Sequence, residues 1–121
     1  MPDNYIKEYM FDDVLVLEPQ DVLNHPSLWS NAVEKHIERG VKRMVWDLRN
    51  VHYVNSTGAG ELVRAYTIAL KNGCIVAVAN FQQLVEDFLA IAKLLSVFDA
   101  YDSLEEAVRA AKTKSFRESL A

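Results

Sequence analysis

The chain has 121 residues, half of them hydrophobic and a quarter charged, and carries a formal charge of −4 from 13 basic and 17 acidic side chains. That length suits one domain around a single core, and no run of lysine or arginine forms the basic stripe of a nucleic-acid binder. No apolar run approaches the ~18 residues of a membrane span, the opening "MPDNYIKEY" lacks the order of a signal peptide, and the single Cys74 fits a reducing cytoplasm.

Tyr5–Met10 alternates and Val14–Glu18 is a short apolar run, so the "FDD" between them predicts a tightly connected strand pair. A helix follows, with Asn24 or His25 near its cap, Pro26 at its first position and Gly40 at its stop. Trp29, Ala32, Val33 and Ile37 form its apolar stripe; His36 lies on that stripe and reads as a partly buried histidine, not a ligand. Arg43–Leu48 is apolar enough for a central strand. Beyond the loop "RNVHYV", residues Leu62, Val63, Tyr66, Ala69 and Leu70 mark a one-faced helix ended by Asn72–Gly73. Glu61, Arg64 and Ile68 are expected on its opposite face.

Cys74–Asn80 reads as a buried strand and residues 81–98 as a third helix, with Val85, Phe88, Leu89 and Ala92 inward. Leu84, Ile91 and Leu95 widen that face, either as more core or as a contact in a weak homodimer or with another partner. "FDAY" suits a short edge strand, and Ser103 three residues before Glu106 makes a capping box for a last helix. Residues 111–121 read as a polar tail, which leaves a core over about residues 5–110 of a single domain. The alternation predicts an α/β fold, a mixed and mostly parallel sheet of four or five strands with about four helices packed on it.

Enzyme motifs fail in turn. "GAGELV" lacks the third glycine of a dinucleotide fingerprint, and eight residues, Arg49 to Ser56, intervene where that fold needs an immediate turn. No Gly-Lys-Ser/Thr holds a phosphate, Val54 stands where a hydrolase elbow needs glycine, and metal-ligand spacing is absent. No catalytic residue, metal or cofactor is assigned. What remains is "YVNSTGAGEL", residues 53–62. Asn55, Ser56 and Thr57 are all capping types, but one cap needs only one of them. Gly58 and Gly60 weaken a first turn by roughly 1 kcal/mol each relative to alanine. Small residues at a helix N-terminus leave an open shelf of N–H groups that a partner can approach. A serine on that shelf is accessible to a kinase, and its phosphate would suit the helix dipole.

Over these residues the sequence resembles a known family. "VWDLRNVHYVNSTGAGELVRAY" is similar to the signature of STAS domains, in which a strand ending in D-L and a short loop lead to D-S-S/T-G-L-G at a helix start. The resemblance runs through "NGCIVAVANFQQLVEDFLAIAKLL" into "YDSLEEAV", covers roughly Tyr5 to Ala110, and is that of the stand-alone anti-sigma factor antagonist type. It implies a serine phosphorylated by an anti-sigma factor that is itself a GHKL-type serine kinase. The unmodified protein binds that kinase and frees a sigma factor, and a serine phosphatase resets it. The matching hydroxyl is Ser56, with Thr57 second, and the implied partner surface holds Asp21, Asn55, Ser56, Thr57, Gly58, Gly60, Glu61, Arg64 and Ile68. The chain departs from the pattern at Asn55 (an acid in the family), Ala59 (leucine), Lys93 (a helix-ending glycine) and "PQDVL", Pro19 to Leu23, in place of G-x-L-D. Asp21 stands in for that acid. The other reading is a STAS module outside sigma control: a subunit of a transporter or signalling assembly, or a small-ligand binder.

Overall fold

Asp12 and Asp13 alone separate the first two strands, β1 (Ile6–Phe11) and β2 (Val14–Pro19), and Asp12 takes the left-handed conformation (φ 53°) that so tight a hairpin needs. The computed structural model describes residues 5–21 and 23–115. After the hairpin come α1 (Leu28–Glu38), β3 (Arg43–Asp47), α2 (Ser56–Lys71), β4 (Ile75–Ala79), α3 (Gln83–Ile91), a 3₁₀ turn at Leu95–Val97, β5 (Ala100–Tyr101) and α4 (Leu104–Thr113). The strands lie in the order β1-β2-β3-β4-β5, with β1 antiparallel to β2 and every later pair parallel. This is the mixed, mostly parallel sheet that the alternating elements predict.

The two faces of the sheet bury different side chains. Leu15, Leu17, Met44, Trp46, Val76 and Val78 face the layer of α1, α2 and α3. Val14, Val16, Val45, Ala77 and Ala79 face α4, whose Ala107 and Ala111 are small enough to let the helix lie close. On the first face a chain of edge-on rings runs Trp29–Trp46–Tyr66–Phe98, with centroids 5.3, 5.8 and 5.0 Å apart. It ties α1, β3, α2 and the approach to β5 together.

Several local expectations change. The first helix begins at Leu28, later than Asn24, His25 or Pro26 would place it, because Ser27 is left-handed (φ 64°) and Asn24 bonds elsewhere. The third helix stops at Ile91, where the chain turns through a left-handed Lys93 (φ 62°). Leu84 and Ile91, 65% and 84% exposed, are therefore not core, and Ala92 is exposed too; Leu95 does pack against the core. The polar tail starts later than residue 111. Ala111 is buried, and Arg43 donates hydrogen bonds to the carbonyls of Ala111 (2.6 Å) and Lys114 (2.7 Å). Residues 116–121 of the expected tail lie outside the described residues.

Candidate functional site

The loop from β3 to α2 is pinned at its start. Asp47, fully buried at the end of β3, pairs with Arg49 at 2.8 Å and accepts from Asn80 Nδ2 at 3.1 Å. The carboxylate holds the Arg49 guanidinium above its ordinary pKa. Leu48 N donates to Ala79 O at 2.9 Å, and Val51 and Val54 turn into the core. His52, Tyr53, Asn55, Ser56 and Thr57 are left facing solvent.

Asn55 is the cap of α2. Its backbone is extended (φ −100°, ψ −172°), and its Oδ1 accepts from Gly58 N at 2.9 Å. Capping therefore needs neither hydroxyl. Ser56 is the first residue of the helix, exposed, and its hydroxyl has no partner among the described residues. Thr57 is exposed beside it.

Two ties hold this loop to the segment between β2 and α1, and a third joins the helices that follow them. Asp21, itself left-handed (φ 55°), accepts from His52 N at 3.0 Å and lies 3.2 Å from His52 Nδ1. Asn24 Oδ1 accepts from Asn55 N at 3.0 Å. Glu61 accepts from both the backbone N–H and the hydroxyl of Ser30, each at 3.1 Å. Each tie spans 31 residues of sequence, so Asp21 comes to lie beside the loop through contacts that no local pattern encodes.

The two glycines have different reasons. A Cβ on Gly58 would stand 2.3 Å from Asn24 Oδ1 and 3.2 Å from Val54 Cβ, so that glycine makes room for the chain's own second tie. A Cβ on Gly60 would meet nothing within 4 Å. Only Gly60 leaves space that something outside the chain could use.

Glu61 requires a correction. It was expected on the outer face of α2 as a partner contact, yet it is 6% exposed and turned toward α1. The inward face of α2 is Gly58, Ala59, Glu61, Leu62, Ala65, Tyr66 and Ala69, and Glu61 falls between small residues three back and four on. That spacing was the available signal, masked by the charge. α1 has no side-chain cap of its own, and the Glu61 carboxylate supplies one from the neighbouring helix. Arg64 is exposed as expected, and Ile68 is half-buried. Ser56, Gly60 and Arg64, spaced by four, run ~12 Å along one exposed face of α2. Gly58 lies buried beneath them.

Among the described residues no cluster of three His, Cys, Asp or Glu side chains could hold a metal, and no helix is long and apolar enough to cross a membrane. A cleft of about 560 Å³ opens between Arg49, Asn80, Tyr101 and Ser103, and none of the partner-surface residues lines it.

The chain belongs to the STAS domain family, whose model matches residues 9–107. Its fold is similar to that of the protein TM1081 from Thermotoga maritima, at 22% identity over 88% of each chain with a TM-score of 0.77. It is similar as well to an anti-sigma factor antagonist from Mycobacterium paratuberculosis, at 21% identity over 88% of this chain and 92% of that one, TM-score 0.73. The anti-sigma factor antagonist SpoIIAA, solved in its unphosphorylated form, aligns at 15% identity over 90% of this chain and 97% of its own, TM-score 0.63. Identities this low speak to a shared fold. None of the curated proteins compared matches the sequence.

Proposed function

We propose that this chain is a phosphorylation-switched binding module, an anti-sigma factor antagonist whose switch is the hydroxyl of Ser56. One observation carries the reading. Asn55 does the capping, so the Ser56 hydroxyl is exposed and unengaged at the positive end of a 16-residue helix. A kinase can reach it, and the product phosphate lies beside N–H groups suited to an anion. The first turn of α2 carries no acidic residue to repel that phosphate, and Glu61 is turned away to α1.

Unmodified, the surface of Ser56, Thr57, Gly60 and Arg64, with Asp21 at its side, receives an anti-sigma factor that is itself a GHKL-type serine kinase. Sequestering that kinase frees a sigma factor, and a serine phosphatase restores the binding form. Membership of the STAS family and the likeness to solved anti-sigma factor antagonists support this reading. The chain then acts by binding, not by catalysis.

Mass spectrometry after incubation with a GHKL-type kinase encoded beside the gene, and ATP, tests the site. Modification at Ser56 is expected. Modification at Thr57 alone would move the switch by one residue, and no modification would leave a STAS module outside sigma control.

A further inference from the structure

β1 bonds to β2 along one edge, and no described residue bonds the backbone of its other edge. Gln20 N donates to Tyr5 O at 2.7 Å, which fixes the phase of the ladder. In the register Lys7↔Glu18, Tyr9↔Val16 and Phe11↔Val14, the alternation of antiparallel pairs turns the backbone groups of Lys7, Tyr9 and Phe11 toward β2. Those of Ile6, Glu8 and Met10 point outward, unpaired among the described residues. Such an edge invites another strand unless something blunts it. Here the strand is flanked by exposed apolar side chains: Tyr9 (36% exposed), Met10 (54%) and Phe11 (45%). Tyr9 and Phe11 meet edge to face at 5.5 Å. α4 packs over the later strands and leaves an apolar groove of about 440 Å³ along Phe11, Leu104 and Val108.

We propose that β1 is the edge through which two copies of this chain pair, strand against strand and antiparallel, into one continuous sheet. The sequence of β1 selects the register. Opposed residues of an antiparallel pair share a face, so a two-fold axis can pass only through a residue meeting its own copy. An axis at Lys7 or at Glu8 sets like charges directly opposite each other, which is unfavourable, and one at Met10 sets Glu8 against Asp12. An axis at Tyr9 avoids all of these. It pairs the outward backbone groups of Glu8 with those of Met10 on the other copy, stacks Tyr9 on Tyr9, and lays Lys7 over the Phe11 ring of the second copy. A single strand pair covers much less than the ~1,200 Å² of a stable interface, so the dimer is weak and concentration-dependent. Both copies present their α1–α3 layer on the same side of the joined sheet, with the Ser56 loops at opposite ends.

Sedimentation of the full chain over a concentration series reads the association directly. The weight-average mass is expected to rise toward that of a dimer. Met10→Pro removes one outward N–H that the inner ladder does not use, so this variant should stay monomeric while its thermal melt remains cooperative. Tyr9→Lys keeps every N–H and places two cations at the axis; it too should stay monomeric, whether or not the proline variant folds. For the register, Tyr9→Cys should oxidise to a covalent dimer at least tenfold faster than Lys7→Cys or Glu8→Cys, since Cys74 is buried and does not compete. A wild-type chain monomeric at the highest concentration, a Tyr9→Lys variant that dimerises like the wild type, or a Glu8→Cys variant that cross-links as fast as Tyr9→Cys would overturn the proposal.

Discussion

Glu61 on α2 caps α1: its carboxylate accepts from Ser30 N and Ser30 Oγ at 3.1 Å, both in the first turn of a helix without a side-chain cap of its own. Among the described residues the buried carboxylate has two donors and no cation partner, and the positive end of α1 is what accommodates it. The helix that begins with Ser56 is thereby locked to the helix that follows Asp21 and Asn24.

Truncation should expose the value of this lock. Glu61→Ala leaves the Ser30 N–H buried and unpaired, while the Ser30 hydroxyl keeps Ser27 O at 3.4 Å, and should destabilise the fold by about 1–3 kcal/mol. Glu61→Gln keeps an acceptor oxygen and should lose less. Arg64→Ala, on the exposed face of the same helix, should stay within about 0.5 kcal/mol of the wild type. Urea denaturation of the three variants checks the order.

The glycines should respond with opposite signs. Gly58→Ala drives a methyl into Asn24 and Val54 and should cost about 1–3 kcal/mol. Gly60→Ala enters open space in a helix and should stabilise by up to about 1 kcal/mol. Gly60→Leu should likewise fold well, yet weaken binding of the partner kinase. Thermal melts and one binding titration separate these effects; destabilisation by Gly60→Ala would contradict the open space described for it.

Lys93 holds a left-handed backbone (φ 62°) where the family has a helix-ending glycine. A side chain there costs roughly 1–2 kcal/mol. Lys93→Gly should recover part of that, about 1 kcal/mol, since glycine also loses more freedom on folding. A denaturant midpoint that falls instead would contradict it.

What the sequence discloses follows the range of the interaction. The hairpin at Asp12–Asp13, the left-handed stop at Gly73 (φ 76°) and the Ser103 cap, which accepts from Glu106 N at 3.1 Å, are all local, and each was legible. So was the exposed serine at the head of α2, because capping types and glycines cluster there. The roles of Asn24 and Glu61 were not. Each is fixed by a partner 31 residues away, and a mid-helix glutamate looks like surface until the neighbouring helix end is in place. The third helix ends earlier than its apolar spacing predicts: that spacing continues past Ile91, but the chain turns at Lys93, whose side chain gives no turn signal of its own and which only the family's glycine marks.

Comparing the affinities of the unmodified and Ser56-phosphorylated chains for the partner kinase tests the switch most directly. Phosphoserine adds about −1.5 to −2 charge, and docking over it strips water from that charge at a cost of several kcal/mol. At 1.4 kcal/mol per tenfold, a loss of about a hundredfold or more is expected. Folding stability should hold or rise slightly, because the phosphate sits at the positive end of α2. Ser56→Ala should bind like the unmodified chain, and Ser56→Asp less well. Equal affinity of both forms, with equal binding by the Ala and Asp variants, would contradict a switch at Ser56.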